Sequence, residues 1–270
     1  PALFPGVVRY IMEGGAPPFK LGANWVTLST SLFDHGQLPE LSDQQNHRLD
    51  QIVDPLWAQM EQQHQLPSRA EFLMQSGLPD DKIIIGLPLE YEHEENFFGQ
   101  HHRYSDNAAM IAALASELND DVILAVTNHP LNALYGDNRA IDQVISAQSD
   151  QVVLLENTEM AGNATLALSC HSDGMIVGNS KSWSACAAFG TPMMRLSDFT
   201  TGDWVQAYDD LPRFLNDIAK NMVSPIDITS TRRWFAFHIA NSVFNPTDPN
   251  LTDQDIVSRM THAVEPLRWD

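Results

Sequence analysis

The chain has 270 residues, 43% of them hydrophobic, which is enough material for the buried core of one large domain or two small ones. Fifteen basic residues against 35 acidic ones give a net charge of −20, which argues against nucleic acid as a partner, because phosphate backbones need a basic footprint. No window approaches the roughly 18 uninterrupted apolar residues of a membrane-spanning helix, and Cys170 and Cys186 form neither a metal spacing nor a disulfide framework.

Residues 1–41 carry Pro5, Pro17, Pro18, Pro39 and Gly14-Gly15 and read as loops and short strands, one of them at Trp25-Val-Thr-Leu28. The opening Pro1-Ala-Leu-Phe-Pro5 has no initiator Met and no signal-peptide pattern, as expected of a fragment or processed product of a longer chain. Ser42-Asp-Gln-Gln45 resembles a capping box and starts a long helix, with Leu49, Ile52, Val53, Leu56 and Trp57 at helical spacing and Pro55 as a kink candidate. A shorter helix runs from Arg69 to Ser76 and stops at Gly77.

From Lys82 onward the pattern changes. Continuous apolar runs at Lys82–Leu89, Val122–Val126, Val152–Leu155, Gly174–Val177 and Pro192–Leu196 read as strands buried on both faces. Between them lie helices at Ser105–Leu118, capped by Ser105 or Asp106, and at Asn138–Ala147, Thr158–Cys170 and Ser182–Phe189. Strands alternating with helices in this rhythm imply an α/β fold with a doubly wound, Rossmann-like parallel sheet. After about Asp203 the rhythm stops, and helices follow at Leu211–Met222, Thr231–Val243 and Thr252–Ala263. The expected organisation is therefore an irregular and helical segment over 1–80, a Rossmann-like domain over 81–203 and C-terminal helices over 204–270.

In open α/β sheets the ligand sits beyond the carboxyl ends of the strands, so the residues after each strand are the candidates. After the first strand comes the acidic run Glu90-Tyr-Glu-His-Glu-Glu95, in which Glu90 is nearest the strand and is the candidate base or nucleophile. Glu94 and Glu95 fit a solvated loop better. After the second comes Thr127-Asn-His-Pro130, where His129 can donate to a phosphate oxygen or serve as an ordinary loop histidine. Glu156-Asn157-Thr158 follows the third strand and suits either a helix cap or a ribose hydroxyl. Gly178-Asn-Ser-Lys-Ser182 follows the fourth. There Ser180, Lys181 and Ser182 meet a helix N-terminus, which fits phosphate binding and plain capping equally. His93 and His101-His102 match no metal-ligand spacing, so no metal and no cofactor are expected. Trp183, Trp204 and Trp234 read as core or interface residues, and Arg232-Arg233 as surface ion-pair partners.

Three stretches resemble the C-terminal half of GT-B glycosyltransferases, closest to the bacterial capsule-polysaccharide and Kdo-transferase group. They are Ile84–Glu90 preceded by Gly77-Leu-Pro-Asp80, the His129-Pro130 pair, and Asn179-Ser-Lys-Ser-Trp-Ser-Ala-Cys-Ala-Ala-Phe-Gly-Thr-Pro192. The resemblance covers residues 70–200. It implies that His129 and Pro130 form one nucleotide-holding element and Asn179, Ser180 and Ser182 another. The helix after the serine element reads Trp183-Ser-Ala-Cys186 where that group has Gly-x-Glu-Ala, so a glutamate of the family pattern is missing.

The resemblance further implies metal-independent transfer of an acidic sugar, Kdo or similar, from a CMP donor onto a glycan or glycolipid acceptor of a capsule or lipopolysaccharide. It implies a cytoplasmic protein with peripheral association at the inner membrane face, and an N-terminal domain for which residues 1–80 are too short. A nucleotide-sugar epimerase or hydrolase on the same fold, and a non-catalytic nucleotide-binding module, remain as alternatives.

Overall fold

The computed structural model describes residues 8–9, 40–63, 66–92, 103–155, 164–178, 180, 182–196, 202–244, 249–255 and 257. The strand expected at Trp25–Leu28, the start of the helix expected at Thr158, and most of Thr252–Ala263 lie outside these residues. The elements in chain order begin with β1 (Val8–Arg9), α1 (Asp43–Gln63), α2 (Arg69–Ser76), β2 (Ile83–Pro88), α3 (Asn107–Ala115), β3 (Val122–Thr127), α4 (Pro130–Tyr135) and α5 (Arg139–Ala147). They continue with β4 (Val152–Leu154), α6 (Ala164–His171), β5 (Gly174–Val177), α7 (Ser182–Phe189), β6 (Met193–Arg195), α8 (Leu211–Ala219), α9 (Ile228–Ser242) and β7 (Val243–Phe244). The chain divides into two compact units, one comprising Leu66–Asp198 and Gln206–Ile226, the other Ala2–Gln65, Phe199–Val205 and Asp227–Asp270.

The first unit holds a five-stranded sheet in the order β4-β3-β2-β5-β6, every neighbouring pair parallel. This is the doubly wound α/β architecture that the alternation of strands and helices predicts. The chain starts in the middle at β2, winds outward through β3 and β4, then crosses back to wind the other way through β5 and β6. The reversal falls between β2 and β5, and in such sheets the crevice at the reversal is where ligands bind.

Successive side chains of a strand point to opposite faces, and both faces of this sheet are covered. Ile85, Leu87, Leu124, Val126 and Ile176 share one face with Met110, Ile111 and Leu114 of α3, Ile141 of α5, and Phe214 and Leu215 of α8. The other face packs on α6 and α7. Gly86 shows how tightly: a Cβ there would lie 2.1 Å from Met175 Sδ and 2.8 Å from Leu168 Cγ. The absent side chain is what lets α6 approach the sheet.

At the amino ends of β2 and β5, Asp173 accepts from Arg69 Nη2 at 3.0 Å and from the Ile84 N–H at 2.8 Å. Arg69 also donates to the His171 carbonyl. This cluster ties α2 to the sheet at the end opposite the candidate site. The helix α2 itself has a full capping box, Ser68 with Glu71, and closes on Gly77 in the left-handed region at φ 65°.

In the second unit, α1 and α9 pack through Leu49, Ala236 and Phe237, and β1 pairs antiparallel with β7. The expected capping box at Ser42 is present, with Gln45 Oε1 accepting from the Ser42 N–H at 2.9 Å and Ser42 Oγ from the Gln45 N–H at 3.2 Å. Trp234 is buried against Trp204 and Phe235. Arg233 pairs with Asp50, as expected of an ion pair, whereas Arg232 lies 5.3 Å over the Trp57 ring and is held by its π-face.

Candidate functional site at the carboxyl ends of the strands

Three adjacent strands deliver the candidate residues. β3 leads into His129, β2 into Glu90, and β5 into Gly178 and Ser180. The register of β2 on β3 runs from Ile83↔Val122 to Pro88↔Thr127, and the Leu89 N–H continues it by donating to the Thr127 carbonyl at 2.8 Å. Glu90 and the Asn128-His129 segment therefore leave the sheet side by side, on the same edge as the turn after β5.

Glu90 is buried, and its Oε1 accepts from the Ser180 N–H at 2.9 Å. The contact spans 90 positions of sequence and crosses the reversal between β2 and β5. Gly178 makes room for it, because a Cβ at that residue would lie 2.5 Å from the same oxygen. Ser180 in turn meets the first residue of α7. Its Oγ accepts from the Ser182 N–H at 3.3 Å and from the Ser182 hydroxyl at 2.9 Å. The turn thus has a serine whose hydroxyl holds the first residue of α7 and whose amide holds a carboxylate.

Two buried asparagines hold the backbone around Glu90. Asn107, the first residue of α3, donates to the Glu90 carbonyl at 2.8 Å and accepts from the Glu90 N–H at 3.3 Å. Asn132, on α4, donates to the same carbonyl at 2.8 Å and accepts from the Glu92 N–H at 2.8 Å. The second N–H of the Asn132 amide donates to Asn128 Oδ1 at 2.9 Å. Asn128 donates onward to Asn138 at 3.1 Å, and Asn138 to the Asn132 carbonyl at 3.2 Å. Buried polar groups are stable when they are hydrogen-bonded, and this set bonds itself to the strand end. Sequence reasoning passed over these asparagines. Asn132 stands three positions beyond His129, between the second expected strand and the helix expected at Asn138.

His129 is the N-cap of the short helix α4, with Pro130 at the first helical position, where its missing N–H is no loss. His129 Nδ1 accepts from the Leu131 N–H at 3.2 Å, which leaves the proton on Nε2 and the ring neutral. Burial lowers its pKa below the ordinary value of 6.5, while the negative charge of Glu90 pulls in the opposite direction. The Tyr91 ring lies against the imidazole with centroids 5.5 Å apart. A neutral histidine with its proton on Nε2 is a hydrogen-bond donor suited to a phosphate oxygen or a departing oxyanion.

The structure therefore joins Glu90 and Ser180 directly and brings His129 beside them through Tyr91 and the asparagines. Ser182 stands at the first position of α7. Glu156, Asn157, Asn179 and Lys181 lie outside the described residues, as do His93, Glu94, Glu95 and His101-His102. Glu92 accepts from the Asn107 N–H and so helps to cap α3. Among the described residues no group of three or more His, Cys, Asp or Glu is placed to hold a metal ion, and no helix is long and apolar enough to cross a membrane.

Fold and site together define a Rossmann-like α/β unit with polar groups gathered at its switch point. No family model matches the chain, and no curated protein matches it. Solved structures of the wall teichoic acid polymerase TagF are similar at low levels. One variant matches at 14% identity and a TM-score of 0.39, covering 97% of this chain and 66% of that one. Another TagF structure matches at 14% and 0.38, covering 95% and 63%, and a second variant at 15% and 0.37, covering 72% and 47%. The chain thus spans between about half and two thirds of the length of these structures. The fold class rests on the strand order, and the functional reading on the residues at the strand ends.

Proposed function

We propose that the sheet-bearing unit binds the nucleotide-linked donor of a glycosyltransferase and that the chain transfers a sugar to a glycan of the bacterial surface. One observation carries this reading. His129, Glu90 and the Ser180 turn leave three adjacent parallel strands at the reversal of strand order, and a buried anion is already hydrogen-bonded to the turn. With the Ser180 amide taken by Glu90, the serine hydroxyls and the N-terminus of α7 are what this turn has for a phosphate.

In this reading the hydroxyls of Ser180 and Ser182, the first-turn N–H groups of α7 and the Nε2–H of His129 hold the donor phosphate. As the glycosidic bond to phosphate breaks, negative charge grows on the departing oxygen. A preorganised donor such as His129 Nε2–H stabilises that charge without moving. The chemistry at these residues is metal-independent. Asn179, Lys181, Glu156 and Asn157 are the further nucleotide contacts in this proposal. The finer assignment, a CMP donor carrying Kdo or a similar acidic sugar, follows from the resemblance of the His129-Pro130 and Asn179–Pro192 stretches to the capsule-polysaccharide and Kdo transferases. On it, the acceptor is a capsule or lipopolysaccharide glycan, and the reaction takes place at the inner face of the membrane with a second domain closing over the donor.

The test is calorimetric titration of the chain with CMP, UDP and GDP, repeated on His129→Ala and Ser180→Ala. CMP binding that both substitutions weaken by about tenfold or more, the loss of one charge-assisted hydrogen bond, is the expected result. Preference for UDP or GDP would keep the transferase and remove the Kdo assignment. Donor binding without turnover on any acceptor would favour a non-catalytic module. Absence of all nucleotide binding by a folded sample would sink the reading.

A further inference from the structure

We infer that Glu90 is a positioning residue of the proposed donor site, acting through the Ser180 amide, and not its base or nucleophile. The inference rests on the glycosyltransferase reading and deepens it. A general base or nucleophile needs its carboxylate directed at substrate. Here Oε1 is directed at the protein's own turn: it accepts from the Ser180 N–H at 2.9 Å, and the residue is buried.

Three independent features hold that arrangement. Gly178 leaves the space that the carboxylate fills, since a Cβ would sit 2.5 Å from Oε1. Asn107 and Asn132 both clamp the Glu90 carbonyl at 2.8 Å, so the residue cannot swing with its backbone. The Ser180 hydroxyl, whose position follows from its backbone, accepts from both the N–H and the hydroxyl of Ser182 and so aims the first turn of α7. The chain of support runs from the asparagines to Glu90, from Glu90 to Ser180, and from Ser180 to the helix end that faces the ligand. Asn132 sits three residues beyond His129 on α4, so the same clamp also ties the histidine's helix to the serine turn. Residues one shell behind the reacting atoms set geometry in this manner without touching substrate.

The distinguishing experiment compares Glu90→Gln, Glu90→Ala and Gly178→Ala in the full chain. Gln keeps an oxygen that can accept from Ser180 but has no negative charge and cannot take a proton. The first readout is amide hydrogen exchange at Ser180 without ligand. Exchange is expected to accelerate by about tenfold or more in Glu90→Ala and Gly178→Ala and to return most of the way in Glu90→Gln, as loss and retention of one buried hydrogen bond require. The second is CMP affinity and turnover. The Ala variants should lose about tenfold in affinity, while Gln stays within about threefold of the parent in both affinity and kcat.

Unchanged Ser180 exchange in Glu90→Ala overturns the inference, whatever binds. So does a Glu90→Gln variant that binds CMP normally but loses turnover as completely as Glu90→Ala, which is the signature of a base or nucleophile. Failure of the parent chain to bind any nucleotide is a separate result. It removes the transferase reading, and the exchange data still decide whether Glu90 holds the turn.

Discussion

Replacing Asn132 by alanine removes the side chain with the most connections at the strand end. It is 1% exposed and makes three hydrogen bonds, to the Glu90 carbonyl, the Glu92 N–H and Asn128 Oδ1, all between 2.8 and 2.9 Å. At about 1 kcal/mol net for each, the loss is roughly 3 kcal/mol. The Glu90 carbonyl keeps Asn107 as a donor and is not orphaned, which sets the value near that figure and not well above it. For a unit of this size, about 3 kcal/mol corresponds to a fall of roughly 6–12 °C in Tm. Urea denaturation followed by tryptophan fluorescence reads this directly, because Trp183 is buried in the same unit. Asn138→Ala is the companion variant. It is half-buried and loses two longer bonds, 3.1 and 3.2 Å, so its loss should be smaller than that of Asn132→Ala. A loss under about 1 kcal/mol for Asn132→Ala, or equal losses for both, would refute the idea that this side chain clamps the end of β2.

Gly86→Ala should destabilise by roughly 1–3 kcal/mol or more, since its Cβ would press on Met175 Sδ at 2.1 Å, and Met175→Ala in the same chain should recover part of the loss. His129 and His171 both have pKa values lowered by burial from an ordinary 6.5, so the unfolded chain binds protons more readily than the native one below that pH. Stability is therefore complete above 6.5 and falls as pH drops toward the lowered native values; His129→Gln should make that fall shallower in denaturation curves collected across the window. The Cys186 thiol is fully buried and pushed up to about 12 by that burial, so a thiol reagent at pH 8 should modify Cys186 only after the unit unfolds.

The strands were legible because burial on both faces selects continuous Ile, Val and Leu, and β5 and α7 coincide with the stretches expected from sequence. Their order was not. A parallel sheet covered on both sides marks every strand alike, so nothing local says that β5 lies beside β2 and not beside β4. Helix ends were less legible than helix bodies. Ser105 and Asp106 are both good caps; Asp106 wins, accepting from the Ala109 N–H at 2.7 Å, while Ser105 donates to the Asp106 carboxylate. The helix α4 was missed altogether. Its six residues are too few for a periodic signal, and the apolar Leu131, Leu134 and Tyr135, though at helical spacing, face solvent instead of a core. The assignment of α8 to the sheet-bearing unit was also hidden, because the strand–helix rhythm ends before it and only the packing of Phe214 and Leu215 reveals it.

The candidate site divides along the same line. Residue type at a strand end is a local property, and it picked out Glu90, His129, Ser180 and Ser182. The partner of Glu90 is a topological property. Glu90 meets Ser180 only because the chain returns to pair β5 with β2, and Gly178 is small for a reason that appears only once that carboxylate is in place. The asparagines show the limit most clearly. An asparagine at the head of a helix reads as an ordinary capping residue, yet Asn107 and Asn132 spend their amides on the end of another element, and they converge on one carbonyl from two different helices. A carboxylate seen alone at a strand end suggests proton transfer. The same carboxylate with its backbone clamped from both sides and its oxygen on a neighbouring amide is built to hold something still.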